Sequence, residues 1–252
     1  MQNRTFQLES FGISDIGLVR EHNEDLWAAY PEEGLFILAD GMGGHSSGEI
    51  AAKEALSSLY AFFKKRSPTN IYSTEELKKF FRDVFTQVND LVYREGERND
   101  ELKGMGTTLC ALFFHQHSAI LAHVGDSRIY LFRGKKLVQL TEDHSLVSEL
   151  VSLGAMKEDE AETFPYKHIL TRAIGTHPKV DSSIKSMETE PEDLYMLCSD
   201  GLTNYASHQQ IENILKSNIP LSLKGQMLVD QAMENGGGDN ITLILVSTAT
   251  GS

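Results

Sequence analysis

Apolar residues recur at helical spacing in two long stretches of the N-terminal half. In residues 77–92 they stand three or four positions apart, which is the spacing of one face of a helix. Ser73 and Glu76 precede this stretch in the pattern of a capping box. Residues 50–63 repeat the same period, and the basic residues 64–66 that follow suit the negative end of a helix dipole. The pattern therefore predicts two consecutive amphipathic helices.

Shorter apolar runs, typical of strands, follow these helices. Several lie within residues 106–140, where turn residues interrupt them at 115–117, 125–127 and 133–135. This spacing favours an antiparallel meander. Further strands are predicted at 26–30, 35–39, 194–198 and 241–247, and further helices near 209–216 and 221–233.

The order of these elements limits the fold class. Strands are grouped apart from pairs of helices instead of alternating with them, which argues for an antiparallel sheet covered by helices, an α+β layered architecture, over a parallel sheet. No internal repeat and no linker rich in proline, glycine or serine divides the sequence. We therefore expect a single domain that comprises residues 1–252.

Composition and charge exclude several classes of partner. The chain has 252 residues, a mean hydropathy of -0.27 and a formal net charge of -13. Charge of this sign repels phosphate backbones and anionic lipid, so nucleic acid is not expected as a partner. No apolar run approaches the roughly 20 residues that a membrane-spanning helix needs. Residues 1–6 lack the apolar core of a secretory signal.

The two cysteines agree with a location in a reducing compartment. Cys110 and Cys198 both lie inside apolar runs. We expect them to be buried core residues and not a disulfide or a nucleophile. Together with the absence of a signal or membrane segment, this predicts a cytoplasmic protein without a membrane partner.

Acidic residues stand at the ends of the most apolar predicted strands. Asp40 and Asp200 follow such strands, and Asp239 precedes one. In an antiparallel sheet the exit of one strand and the entrance of its neighbour lie at the same edge, so these three side chains can meet. Clustered carboxylates raise one another's pKa values unless a cation is bound, and hard oxygen ligands favour Mg²⁺, Mn²⁺ or Ca²⁺ over zinc. Further acidic residues that could reach this edge are Glu24, Asp25 and Asp126.

Turn chemistry is the alternative explanation for the same aspartates. An Asp-Gly or Gly-Asp pair alone is most often a turn without a chemical role. Other catalytic motifs are missing, since residues 41–44 are glycine-rich but lack the Lys-Ser/Thr of a phosphate-binding loop. Among the nine scattered histidines we single out His45 and His144. The aspartates with a neighbouring glycine are Asp40, Asp126, Asp200 and Asp239.

Eight short motifs are spread over almost the whole chain. They are residues 20–25, 40–44, 106–108, 125–128, 140–144, 170–175, 198–202 and 239–242. Taken together, these motifs and their order resemble those of the metal-dependent Ser/Thr protein phosphatases of type 2C, the PPM family, in their compact bacterial form. The resemblance implies a sandwich of two antiparallel β-sheets flanked by helical pairs.

The resemblance also implies a metal centre. Asp40 would bridge two Mn²⁺ or Mg²⁺ ions, and Gly41 would offer its carbonyl oxygen to one of them. Asp200 and Asp239 would hold the other ion. Asp126 resembles the family residue that holds a third, weaker ion together with Asp200.

Three further residues complete the implied site. Glu24 and Asp25 would act largely through metal-bound waters. Arg20 matches the arginine that binds the substrate phosphate, a task that suits the forked guanidinium group. Two ions that share a water would lower its pKa from 15.7 toward roughly 7, so that hydroxide attacks phosphorus directly without a covalent phosphoenzyme.

One position departs from the animal members of the family. Met42 stands where they commonly carry a histidine that is proposed to protonate the leaving oxygen, and a thioether cannot donate a proton. A water on the third metal is the first candidate for the general acid, and His45 is the second.

Residues 145–167 resemble the flap of bacterial members. Gly154 and Pro165 bracket their acidic part and suit hinges. An ordinary helical insert is the alternative, because Leu146, Leu150 and Leu153 could pack against the body of the protein.

The predicted function is therefore metal-dependent hydrolysis of phosphoserine and phosphothreonine in proteins. The expected partners are phosphorylated proteins and a Ser/Thr protein kinase, and the expected state is a monomer. A catalytically silent binding module with the same fold is one alternative. A regulator confined to one small anti-sigma-type phosphoprotein is another.

Overall fold

A computed structural model describes residues 6–43, 47–66, 68, 73–161 and 164–250. Two antiparallel sheets lie face to face within these ranges. The first sheet has the spatial order β1 (Phe6–Asp15), β11 (Ile241–Thr250), β10 (Leu194–Cys198), β7 (Arg128–Arg133) and β8 (Lys136–Gln139). The second has the order β2 (Asp25–Tyr30), β3 (Leu35–Met42), β5 (Leu109–His115), β6 (Ser118–Val124) and β9 (Ser183–Glu188), with β4 (Gly106–Thr107) paired to β3.

Helices cover the outer face of each sheet. Helices α1 (Ser47–Arg66) and α2 (Thr74–Arg98) pack on the second sheet, and α2 is followed by a short 3₁₀ turn, Asp100–Leu102. Helices α5 (Asp200–Thr203), α6 (His208–Lys216) and α7 (Leu221–Glu234) lie on the first sheet. Two short helices, α3 (Leu146–Ser152) and α4 (Glu158–Ala161), belong to the segment between β8 and β9. The predicted sandwich flanked by helices is confirmed.

The alternation of side chains along the strands builds three apolar layers. In β3, Leu35 and Ile37 face α1 and α2, whereas Phe36 and Leu38 face the other sheet. In β10, Met196 faces the helices of the first sheet. Because both faces of these central strands are covered, their sequences are apolar at every position and not at every second one.

Helix α2 illustrates how closely the period predicts burial. The predicted stripe from Leu77 to Val92 is buried except at Leu91, which is 40% exposed. The Ser73 hydroxyl accepts the backbone N–H of Glu76 at 3.1 Å, as the capping pattern predicts. The Glu76 carboxylate, however, accepts a hydrogen bond of 2.9 Å from the Ser73 hydroxyl. The start of the helix was predicted correctly, although no reciprocal bond from the Ser73 N–H to that carboxylate is seen among the described residues.

The predicted meander over residues 106–140 is wrong in one respect. Strands β5 and β6 pair in the second sheet, and β7 and β8 pair in the first. The turn at residues 125–127 therefore carries the chain from one sheet to the other, and β6 pairs with β9 instead of β7. Local turn signals cannot reveal this crossing, because pairing partners distant in the sequence decide which sheet each strand joins.

Two of the observed strands were not predicted from the sequence, whereas the burial of both cysteines was. Strands β1 and β9 lie at sheet edges, where partial exposure weakens the apolar pattern. Cys110 and Cys198 are buried free thiols, as expected. In the described part of the chain no helix is both long and apolar enough to cross a membrane. The extents of the domain, residues 1–252, and of the flap, residues 145–167, stay predictions.

Candidate metal centre

Carboxylates from both sheets line one cleft at the end of the sandwich. Asp40 lies near the end of β3 in the second sheet, whereas Asp200 and Asp239 follow β10 and precede β11 in the first. Asp200 and Asp239 meet at one edge of the first sheet, as the sequence reasoning predicted, because β10 pairs with β11. Asp40 joins them because the two sheets stack, and not through the same sheet edge. The other predicted site residues that line this cleft are Arg20, Glu24, Gly41 and Asp126.

Asp25 lies beneath the cleft. It pairs with Asp40 across β2 and β3, is 3% exposed, and accepts a hydrogen bond of 2.7 Å from the Ser199 hydroxyl. His45 lies outside the described residues, so the structure places every predicted site residue except this one.

Burial and mutual repulsion disfavour the charged forms of these acids. Burial, followed by repulsion from Asp25 and Asp200, raises the pKa of Asp40 well above its usual range. Burial raises the pKa of Asp25 to about 7 against the hydrogen bond from Ser199, and raises the pKa of Asp126 to about 7 with a contribution from Asp200. An isolated cluster of this kind holds protons, and a cation would replace them.

Two of the carboxylates have partners within the protein. Nη2 of Arg20 lies 2.8 Å from Oδ2 of Asp239, and Nδ2 of Asn204 donates to Oδ2 of Asp200 at 2.9 Å. In this arrangement no three acidic, histidine or cysteine side chains of the described ranges converge on a single ion position. Both oxygens of Asp239 have donors within the protein, because Oδ1 also accepts the Asn240 N–H at 2.8 Å.

One buried oxygen in the cleft lacks a donor. Oε1 of Glu24 completes no hydrogen bond with any described residue, although the Gly48 N–H approaches this carboxylate. An unpartnered buried acceptor carries a desolvation cost that a cation or a water bound to one would remove. Hard oxygen donors, clustered charge and this orphaned atom together fit a divalent metal better than any other group.

Close packing, and not turn geometry, explains two of the neighbouring glycines. A Cβ on Gly41 would lie 2.2 Å from the Gly48 carbonyl oxygen, and one on Gly201 would lie 1.9 Å from the Asn240 carbonyl oxygen. Neither glycine has a positive φ, whereas Gly125 has a φ of +102°. The turn explanation therefore holds for the Asp126 segment alone among these three, and the other two glycines let backbones meet at the cleft.

Sequence reasoning missed the residue that joins β11 to the loop between β1 and β2, residues 16–24, here called the Arg20 loop. Nδ2 of Asn240 donates to the carbonyl oxygens of Ile16 and His22, each at 2.9 Å, and its Oδ1 accepts the Glu24 N–H at 2.9 Å. Asn240 thereby holds the segment that carries Arg20 and Glu24. Its place beside Asp239 in a motif was the available signal.

A second missed residue supports Asp40. The Thr108 hydroxyl accepts the Asp40 N–H at 3.0 Å and shares a hydrogen bond of 2.7 Å with the Ser127 hydroxyl. Thr108 therefore links the end of β3 to the turn that carries Asp126. The sequence reasoning gave no role in the site to four further residues that line the cleft, namely Lys167, His168, Arg172 and His177.

Comparison with known proteins places this geometry in a family. A sequence profile of protein phosphatase 2C matches residues 19–227. The serine/threonine phosphatase stp of Listeria monocytogenes is 39% identical over 236 residues, which are 92% of this chain and 93% of that protein. Both the extent and the identity are far beyond a shared motif.

Solved structures agree with the sequence comparison. The serine/threonine phosphatase Stp1 from Staphylococcus aureus matches with a TM-score of 0.90 and 32% identity, covering 100% of this chain and 98% of that chain. The catalytic domain of the phosphatase PstP, solved in complex with 2 manganese ions, matches with a TM-score of 0.83 and 33% identity, covering 96% and 98%. The predicted family, fold and reaction are confirmed: the chain belongs to the protein phosphatase 2C family and is a protein-serine/threonine phosphatase.

Proposed function

We propose that this phosphatase removes phosphate from serine and threonine side chains of proteins by direct attack of water, with Mn²⁺ or Mg²⁺ held in the carboxylate cleft. Membership of the family and the manganese-bound relative support dependence on a divalent metal. The observation that carries the proposal is the convergence of partly buried carboxylates from both sheets on one cleft beside Arg20.

The donor set suggests how the ions are held. Asp40 would bridge two ions, with the Gly41 carbonyl oxygen on one and Asp200 and Asp239 on the other. Asp126 would hold a third, weaker ion together with Asp200. When bound, such ions lower the pKa of a water they share and offset charge on the phosphoryl group.

Side chains at the rim and beneath the cleft would bind the substrate phosphate and the waters on the metal ions. The Arg20 side chain is 47% exposed at the rim, where its guanidinium group would bind a substrate phosphate, to which its geometry is suited. Glu24 and Asp25 would accept hydrogen bonds from metal-bound waters. Oε1 of Glu24 has no donor among the described residues, and Asp25 lies below the cleft floor.

The leaving oxygen of the substrate requires a proton donor. Met42 lines the cleft and cannot donate. We propose that the donor depends on the Asp126 site, with His45 as the second candidate. Buried Cys110 and Cys198 are unsuited to form a phosphoenzyme, because burial raises the pKa of Cys198 to about 12 and of Cys110 well above its usual range.

The flap proposal concerns residues 145–167, of which Lys167 lines the cleft. None of the α3 side chains is fully buried, and Leu153 is 79% exposed. So few buried contacts suit a segment that moves over a bound phosphopeptide.

We further propose a cytoplasmic monomer whose substrates are made by a Ser/Thr protein kinase.

A silent binding module is disfavoured by the cleft itself. Burial disfavours the charged forms of four aspartates at or beneath the cleft, and charging them destabilises a fold that has no use for a cation. They are Asp25, Asp40, Asp126 and Asp200. A phosphatase dedicated to one small anti-sigma-type phosphoprotein would share the chemistry, and substrate range separates the two.

The decisive experiment measures hydrolysis of unrelated phosphoserine and phosphothreonine peptides while Mn²⁺ and Mg²⁺ are titrated. We expect metal-dependent release of phosphate from several peptides and none from Asp40→Asn. Activity that persists in chelator, or in Asp40→Asn at saturating metal, would contradict the metal proposal. Hydrolysis of only one protein substrate would favour the dedicated regulator.

A further inference from the structure

His144 is buried next to the turn that carries Asp126, and the proposed chemistry does not use it. It is 5% exposed. Its ring stacks on the ring of His123, with centroids 4.6 Å apart and planes 19° from parallel. Its Nε2 lies 2.9 Å from the Ser183 hydroxyl oxygen at the start of β9. The imidazole thus contacts two neighbouring strands of the second sheet, β6 and β9.

His144 binds both polar groups of one glycine. The Gly125 N–H donates to Nδ1 of His144 at 3.2 Å, and the His144 N–H donates to the Gly125 carbonyl oxygen at 3.0 Å. Gly125 has a φ of +102°, and a Cβ there would lie 2.6 Å from Cγ2 of Thr108. The turn is therefore confined by Thr108 on one side and by His144 on the other.

The network requires a neutral imidazole. Because Nδ1 accepts from Gly125, the ring proton is on Nε2 and is donated to Ser183. Nη1 of Arg172 lies 3.4 Å from Nε2, and a second positive charge there would be repelled. Burial, with smaller contributions from His123 and Arg172, lowers the pKa of His144 to about 3.

The same residue reaches the base of the flap. The His144 carbonyl oxygen accepts the Thr171 N–H at 2.9 Å. The next residue, Ser145, caps α3 and forms an isolated antiparallel bridge with Leu170. The two ends of the segment between them are thus fastened to the residue that holds Gly125.

We infer that His144 is a positioning residue, which sets the place of Asp126 by holding Gly125 and joins that turn to both ends of the flap. The inference rests on the proposed role of Asp126 in ion binding. His144 touches neither substrate nor metal in this assignment, and it acts only through the Gly125 peptide.

Two amide substitutions distinguish the roles of the two ring nitrogens, Nδ1 and Nε2. In His144→Asn the side-chain oxygen takes the place of Nδ1 and can still accept from Gly125. In His144→Gln the amide reaches toward the Nε2 position and leaves the Gly125 N–H without its partner. Ser183→Ala removes only the Nε2 partner and serves as the matched control.

The first readout is hydrogen exchange of the Gly125 amide, followed by NMR in the metal-free protein. We expect exchange about tenfold faster in His144→Gln, since one hydrogen bond is lost, and little change in His144→Asn and Ser183→Ala. Equal protection in all variants would overturn the inference, as would equal loss in the Asn and Gln variants.

The second readout is calorimetric titration with Mn²⁺ alone, with Asp126→Asn as the reference that identifies the weak site. We expect His144→Gln to weaken that site about tenfold or more, the loss that one hydrogen bond can cause, and to add nothing in the Asp126→Asn background. His144→Asn should restore the site. Additive losses in the double variant would mean a general structural role and overturn the inference.

The two readouts distinguish the inference from the proposed function. If Asp126→Asn loses no ion, the role of Asp126 is wrong, while the Gly125 exchange result still decides whether His144 holds the turn. If His144→Gln fails to fold, the comparison of His144→Asn with Ser183→Ala decides, because a positioning role through Nδ1 predicts that both retain the weak site.

Discussion

Nη2 of Arg20 donates a hydrogen bond of 2.8 Å to Oδ2 of Asp239. The proposed function gives these residues different tasks, phosphate binding for Arg20 and ion binding for Asp239. If both roles hold, the contact would couple the two tasks, because an ion at Asp239 would compete with Arg20 for that carboxylate. The pair lies at the rim, where the Arg20 side chain is 47% exposed and the Asp239 side chain is 28% exposed.

Replacement of Arg20 by alanine tests this coupling. An exposed ion pair contributes at most about 1 kcal/mol, so Mn²⁺ binding without substrate should tighten by no more than roughly fivefold. Because an interaction made equally in the ground and transition states affects binding alone, KM should rise more than kcat falls. Calorimetry and steady-state kinetics on a phosphopeptide measure both effects. Arg20→Lys should restore KM only in part, and a kcat loss of orders of magnitude at unchanged KM would contradict the assignment.

Metal should stabilise the fold. Burial disfavours the charged forms of Asp40 and Asp126, so a cation that binds only the folded state raises the free energy of unfolding. Mass action gives roughly 2.7 kcal/mol at a hundredfold excess of metal over its dissociation constant. Thermal melting with and without millimolar Mn²⁺ measures this, with Asp40→Asn as the control that should gain far less. A melting temperature that Mn²⁺ does not change would refute the prediction.

Removal of the Asn240 side chain should loosen the Arg20 loop. Asn240→Ala leaves the carbonyl oxygens of Ile16 and His22 without their donor. We expect a loss of about 1–3 kcal/mol in the free energy of unfolding, measured by urea denaturation, and a higher KM because Arg20 is less well placed. Asn213→Ala, on the exposed face of α6, should change stability by less than about 0.5 kcal/mol. Equal effects of the two substitutions would argue against a role for the loop.

Acid should weaken the His144 network. Burial lowers the pKa of folded His144 to about 3, below its value of about 6.5 in an unfolded chain. Between these values the unfolded state binds more protons, so this contribution is complete above pH 6.5 and is lost as the pH falls toward 3. From pH 7.5 to pH 5.5 the loss is about 1.4 kcal/mol.

The carboxylates oppose this trend in the metal-free protein. The folded pKa of about 7 for Asp25 and Asp126 means that protonation stabilises their folded forms as the pH falls. The measurement is therefore the difference in unfolding free energy between the wild type and His144→Asn at each pH. We expect this difference to shrink at pH 5.5, and a difference independent of pH would contradict a neutral His144.

The identity of the general acid can be found with two substrates. A serine alkoxide is a poor leaving group and needs a proton, whereas p-nitrophenolate needs little help. We expect Asp126→Asn to slow phosphopeptide hydrolysis far more than p-nitrophenyl phosphate hydrolysis, and His45→Ala to slow both by a similar factor. If His45→Ala shows the selective loss instead, His45 is the donor. Equal losses on both substrates in both variants would mean that neither group provides the acid.

Helices could be predicted from the sequence, because their apolar pattern involves only residues that are close together in the chain. The helical periods of α1, α2, α6 and α7 come from residues three or four positions apart, so no distant contact is needed to see them. The family motifs were also visible, and they named every predicted site residue that the structure places at or beneath the cleft. The alternation of fully buried strands was not visible as a pattern, because both faces of β3 and β5 are covered.

Strand pairing, and the contacts between side chains that are remote in the chain, could not be predicted without the folded structure. The passage of residues 125–127 between sheets depends on the pairing of β6 with β9 and of β7 with β10, which are far apart in the sequence. The same stacking brings Asp40 to Asp200 and Asp239, places Asn240 against the Arg20 loop and puts His144 behind Gly125. Hydrogen bonds and charge effects act through space, so residues remote in the chain acquire these roles only when the two sheets close on one another.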